Sequence, residues 1–262
     1  MLLFCCLFKK VTKRNSQVLK PKFPDSFMLY LIGLGLNEKS YSWEAYNAIQ
    51  AAEKIYIENY TVEFPYDIKL LEKQFKGKKF IHVDRDFVES FRVLQEAKNT
   101  DVALLVYGNP LTATTHITLL EEAKKSGIRA KVIYNASIID AVAETGLQLY
   151  KFGKIASMPG FEADSYLDIV KDNSKIKAHS LILVDIGLQF DKAMEKLMND
   201  IKNNGVKLNK IIVCERLGTK DSKIYYGKVE KLTSLKIKAP FCIIIPSELH
   251  FMEEEVLEGF EN

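Results

Sequence analysis

The sequence predicts an α/β architecture in two domains, with a mostly parallel sheet in the first and a mixed sheet in the second. Three observations predict it. Short runs of Val, Ile and Leu recur from residue 29 onward. Segments of helical spacing separate these runs up to about residue 127. Beyond residue 136 the alternation loosens into loop-rich and alternating stretches. Strands separated by helices of this length pair in parallel and bury both faces of their sheet.

Each element can be justified in order. "LYLIGLG" (29–35) reads as a buried strand that turns at two glycines, and "SWEAYNAIQAAEK" (42–54) as a helix with Trp43, Tyr46, Ala48, Ile49 and Ala52 at roughly helical spacing. "KIYIE" (54–58) is a strand, "YDIKLLEKQF" (66–75) a helix, "KKFIHVD" (78–84) a strand and "RDFVESFRVLQEAK" (85–98) a helix. "DVALLV" (101–106) is the next strand, followed by the loop "YGNPLTATTH" (107–116). "HITLLEEAKKSG" (116–127) is a helix ending on glycine, and "AKVIYN" (130–135) a strand. The stretch 150–166 is loop-rich with room for one short strand. "AHSLILVDIG" (178–187) is a strand and "DKAMEKLMNDIKNNG" (191–205) a helix. "NKIIVCERLG" (209–218), "SKIYYG" (222–227) and "PFCIIIPSELH" (240–250) are further strands, the middle one alternating as an antiparallel or edge strand does. The expected domains are 28–137 and 138–262, with 1–27 as an unfolded extension.

The 262 residues carry a net charge of +3, but residues 1–27 alone hold +5 and the remainder about −2. A nearly neutral body offers no general electrostatic case for nucleic acid, and no run nears the ~18 apolar residues of a spanning helix. In the prefix the lysines follow the apolar stretch, the reverse of a secretory signal. A mitochondrial presequence and lipidation at Cys5 and Cys6 are two readings of it. The favoured one is an upstream extension, with translation starting at Met28 immediately before a clean strand. Cys214 and Cys242 lie in apolar strands without Cys-x-x-Cys or zinc-type spacing, and read as buried thiols in a reducing compartment.

Ligands of parallel sheets gather at the carboxyl ends of strands. That rule singles out the loops 33–40, 107–116 and 134–141. Gly33-x-Gly35 lacks the third glycine of a dinucleotide fingerprint. His82 reads as a structural side chain in mid-strand. His116 is placed to cap, bind or pack, and spacing identifies no partner for His179 or His250. Asp185 ends a strand and serves either a site or the ladder terminus, while Thr112, Thr114 and Thr115 include at least one helix cap. No catalytic triad or dyad follows from spacing.

"MLYLIGLGL" (28–36), "YGNPLTATTH", "YNASIIDA" (134–141), "LQLYKFGK" (147–154), "SLILVDI" (180–186), "ERLG" (215–218) and "PSELHFMEEE" (246–255) occur in order. Together they resemble the diphthine synthase family, a branch of the tetrapyrrole methylase superfamily, over essentially all of 28–262. The resemblance implies the two-domain tetrapyrrole methylase fold and a cytoplasmic homodimer without metal, membrane or direct nucleic-acid contact. It also implies methyl transfer from S-adenosylmethionine to the amine of a 3-amino-3-carboxypropyl-histidine in translation elongation factor 2. Matching motif to motif, cofactor contacts fall on Leu36, Asn109, Thr112, Ser137, Ile138, Val184, Leu217 and Phe241. No catalytic residue is assigned, since an in-line displacement needs positioning rather than a protein nucleophile. Relatives often carry Asp where this chain has Asn109, which removes a negative charge beside a sulfonium. The rival readings are a corrin or sirohaem methyltransferase, whose Gly-Pro-Gly-Asp turn is absent here, and a non-catalytic relative that binds the elongation factor.

Overall fold

A computed structural model describes residues 27–261. The expectations for the prefix, including Cys5 and Cys6, lie outside the described residues. The first half contains β1 (Met28–Gly33), α1 (Trp43–Ala51), β2 (Lys54–Glu58), α2 (Ile68–Glu72), β3 (Phe80–Val83), α3 (Arg85–Glu89), α4 (Arg92–Ala97), β4 (Val102–Val106), α5 (Ile117–Lys125) and β5 (Arg129–Ile133). Its five strands run parallel in the order β3-β2-β4-β1-β5. Every residue of β4 is buried, because helices cover both faces of this central strand. Ser42, Asp67 and Asp84 start α1, α2 and α3 by accepting the hydrogen bonds that N-caps supply.

The second half contains α6 (Ile138–Ala141), β6 (Ala156–Met158), α7 (Tyr166–Lys175), β7 (Ser180–Val184), α8 (Phe190–Asn203), β8 (Lys210–Glu215), β9 (Lys223–Lys228), α9 (Val229–Leu232), β10 (Phe241–Ile245) and α10 (Phe251–Glu258). The sheet order is β6-β7-β10-β8-β9, with β6 parallel to β7 and every other pairing antiparallel. The mostly parallel first sheet and the mixed second one are therefore both present, with β9 on the expected edge.

Several elements differ from the sequence reading. The helix expected over 85–98 is broken at Phe91, whose φ is 61°. In a continuous helix Val88 and Val93 would point roughly 140° apart; the break turns both into the core. The strand expected over 178–187 spans only Ser180–Val184. The one expected over 240–250 ends at Ile245, and His250 instead opens α10, with Glu253 completing a capping box. Four helices went unforeseen, the short α6 and α9 and the longer α7 and α10. In α10 only Glu253 and Leu257 are buried, so it lacks the apolar periodicity that reveals a helix. In α7 the signal is diluted by polar residues, and Asn173 is itself buried. Among the described residues no helix is long and apolar enough to cross a membrane.

The two sheets face one site through their strand ends. The loops after β1 and β4 bridge at Gly35 and Gly108, where each backbone N–H reaches the other carbonyl at 3.1 and 3.0 Å. In the second sheet β10 runs against β7 and β8, with Cys242 opposite Leu183 and Phe241 opposite Glu215. Its start thus lies beside their ends. Asn37 ties the halves together by donating to the Gly218 carbonyl at 2.8 Å.

Candidate active site

A cleft of about 660 Å³ opens between these strand ends, within the roughly 300–1,000 Å³ of small-molecule sites. All eight residues singled out in the sequence line it: Leu36, Asn109, Thr112, Ser137, Ile138, Val184, Leu217 and Phe241. They come from six separate stretches of chain and meet because the two sheets present their ends to one another.

The loop geometry follows from local chemistry. Gly33 is required by close approach: a Cβ there would sit 2.6 Å from the Gly108 carbonyl oxygen and 2.9 Å from Pro110 Cδ. Gly108 has φ +69°, a conformation that favours glycine. Ser137 is a buried N-cap: its hydroxyl accepts from Ile139 N–H and donates to Asp140, whose carboxylate also accepts from Ser137 N–H. Ser137 and Ile138 thus form a rigid wall.

The role of Asn109 differs from that of a charged residue. Its Oδ1 accepts from Leu111 N–H at 3.0 Å, and its Nδ2 donates to the Asn135 carbonyl at 3.0 Å. The amide ties two cleft loops together, a bond that a carboxylate could not donate. N109D is accordingly expected to cost about 1–3 kcal/mol, read as a lower Tm at pH 7. An unchanged Tm would show that the tie is dispensable.

His116 occupies the N-cap position of α5 but makes no side-chain capping bond. It is buried, its Nδ1 3.0 Å from the Pro110 carbonyl and its Nε2 3.1 Å from Tyr60 Oη. Burial, and next the Glu58 and Glu89 carboxylates, raise the Tyr60 pKa, so the phenol stays protonated beside Nε2. Thr114 bonds to the Pro110 carbonyl at 2.7 Å. His82 is an exposed residue of edge strand β3. Asp185 lines the cleft while accepting from Ile186 and Gly160 N–H at 3.0 and 3.2 Å, so it has both a site position and a strand-ending role.

His179 and His250, without visible partners in the sequence, meet around Glu253. This fully buried carboxylate accepts from His250 and Gln148 N–H, from Lys151 and from His179 Nε2. Burial alone would raise its pKa, but these hydrogen bonds outweigh it and hold the pKa at about 2. His179 is shifted down, because burial outweighs the pull of the carboxylate; its Nδ1 accepts from Ser247 N–H. The cluster anchors α10 and the entry to β7, whose far end carries Val184. Cys214 and Cys242 face each other across β8 and β10 as buried thiols.

Sequence reasoning missed the wall formed by Tyr60, Thr61, Glu63, Arg85 and Glu89. The same strand-end rule points to it when applied after β2 for Tyr60, Thr61 and Glu63, and after β3 for Arg85 and Glu89. The lining then carries three carboxylates (Glu63, Glu89, Asp185) against one guanidinium, Arg85. Apolar walls with a net negative rim suit a flat aromatic group joined to a cation.

Residues 28–233 match the family of Tetrapyrrole (Corrin/Porphyrin) Methylases. The diphthine synthase of Methanococcus maripaludis is 36% identical over 254 residues, spanning 90% of this chain and all of the relative. The diphthine methyl ester synthase of Emericella nidulans is 32% identical over 268 residues, covering 89% of this chain and 93% of its own. A crystal structure of diphthine synthase superposes with a TM-score of 0.83 at 31% identity, over 89% of this chain and 96% of that one.

Proposed function

This chain belongs to the diphthine synthases of the tetrapyrrole methylase family, and from that premise we propose that its cleft joins S-adenosylmethionine to the modified histidine of translation elongation factor 2. The protein is a methyltransferase of diphthamide biosynthesis. One observation supports the site assignment above the others: eight residues chosen from motifs line one cleft of suitable size.

Leu36, Ile138, Val184, Leu217 and Phe241 would enclose the nucleoside, while Asn109 and Thr112 line the loop beside it. Bound there, S-adenosylmethionine supplies an electrophilic methyl whose carbon–sulfur bond electrons remain on sulfur as a neutral thioether. The substrate amine must then be neutral, dry and in line, and holding it so is the work of the cleft walls. Its lone pair would form the new carbon–nitrogen bond, with a proton leaving to solvent after each of the first two transfers and none after the third. The missing charge at Asn109 is offset by Glu63, Glu89 and Asp185, which favour a cationic donor at the rim.

The reading extends to a cytoplasmic homodimer. Exposed Leu149, Tyr150, Phe251 and Met252 flank the Lys151–Glu253 pair and supply apolar surface for a second copy.

Titration calorimetry with S-adenosylhomocysteine tests the cofactor assignment. Phe241→Ala removes an apolar wall and should weaken binding by about tenfold. Equal affinity in wild type and F241A would contradict the placement.

A further inference from the structure

The cleft continues past the residues assigned to the methyl donor, onto a wall that this structure builds with unusual care. Glu58 is fully buried and directs its carboxylate into the turn that follows β2, accepting from Tyr60 N–H at 3.0 Å and Thr61 N–H at 3.1 Å, and from the Thr61 hydroxyl. His116 holds the other end of Tyr60. The phenol ring is therefore fixed at backbone and hydroxyl alike.

Arg85 lies over that fixed ring, its guanidinium carbon 5.3 Å from the centroid. The Glu89 carboxylate approaches it at 3.8 Å, too far for a hydrogen bond. Glu89 is itself 3.5 Å from the Thr115 hydroxyl of the 107–116 loop. The Arg85 side chain remains 63% exposed, and it is the single cation among the residues that line the cleft. A guanidinium held over a hydrogen-bonded ring loses part of its rotamer freedom before any ligand arrives, and its planar donors match a carboxylate. The flanking acids favour a positive group close by. A guanidinium among carboxylates, at the edge of a methyl-donor pocket, complements a ligand with an anion and an ammonium on one carbon.

We infer that Arg85 receives the α-carboxylate of the amino-acid head group that is methylated, and so turns its amine toward the loop carrying Asn109 and Thr112. This inference rests on the function proposed above and adds the residue that reads the substrate's carboxylate. Tyr60 is a positioning residue that acts through Arg85.

The test uses the full-length protein with elongation factor 2 bearing the aminocarboxypropyl-histidine, and with unmodified elongation factor 2 as competitor. For Arg85→Ala, KM for the modified factor should rise about tenfold or more with kcat changed far less. Arg85→Lys should fall between the two, because it keeps the charge without the planar pair of donors. The inhibition constant of unmodified factor and the Kd of S-adenosylhomocysteine should both stay within about twofold of wild type. A KM unchanged in R85A overturns the inference alone. So does a rise in KM matched by weaker binding of the unmodified competitor, which would place Arg85 in docking rather than in reading the head group. Absence of transfer by wild type overturns the functional reading and this inference with it.

Discussion

Glu253→Gln is expected to destabilise the protein by about 3–5 kcal/mol at neutral pH, as losing one partner of a buried ion pair does. The amide would face the Lys151 ammonium and the His250 N–H with a donor where the structure needs an acceptor. The penalty has a pH signature. The folded-state pKa of Glu253 lies at about 2, below the ~4.5 of the unfolded chain. Its stabilisation is therefore complete above about pH 4.5 and is lost as the pH falls toward 2, amounting to about 3 kcal/mol over the window. His179 is also held below its ordinary pKa by burial, so it too costs stability once acid protonates the unfolded chain below about 6.5. E253Q also removes the upward pull of the carboxylate on His179, so the carboxylate itself is read from the part of the gap that closes between pH 4.5 and 2. Urea unfolding at a series of pH values should show the gap narrowing between pH 4.5 and 2. A gap independent of pH would contradict the network.

Gly33→Ala is expected to damage the cleft itself. The new Cβ would meet the Gly108 carbonyl at 2.6 Å, a backbone contact that no rotamer relieves. The loop carrying Asn109 and Thr112 must shift, at about 1–3 kcal/mol of overpacking. The Kd for S-adenosylhomocysteine should rise about tenfold or more, since a small displacement of positioning groups is costly. Retained affinity would show that this approach of β1 and β4 loops does not shape the pocket.

What the sequence disclosed follows from the range over which each signal acts. The inner strands β1, β2 and β4 show as apolar runs because they bury both faces, whereas the caps at Ser42, Asp67 and Asp84 were not singled out. The strand-end rule reached only the loops 33–40, 107–116 and 134–141, while the eight cleft residues came from the family resemblance carried by motifs that are local in sequence. The Glu253 cluster escaped for the opposite reason: its bonds to His179 and Lys151 span 74 and 102 residues, so no spacing links them. The break at Phe91 escaped because it is decided by the core around Val88 and Val93, against a helical pattern that reads as continuous. Arg85 was not singled out in the sequence, because what sets it apart is the Tyr60 ring beneath it, 25 residues earlier.

Mass spectrometry of elongation factor 2 tests the central claim most directly. The protein is incubated with S-adenosylmethionine and either the aminocarboxypropyl-modified factor or the unmodified one, and added methyl groups are counted on the histidine peptide. The account predicts methyl groups on the modified histidine, three filling its amine and any fourth going to the carboxylate as an ester, and none on the unmodified factor. No methylation of a verified substrate, by protein shown to bind S-adenosylhomocysteine, would contradict it.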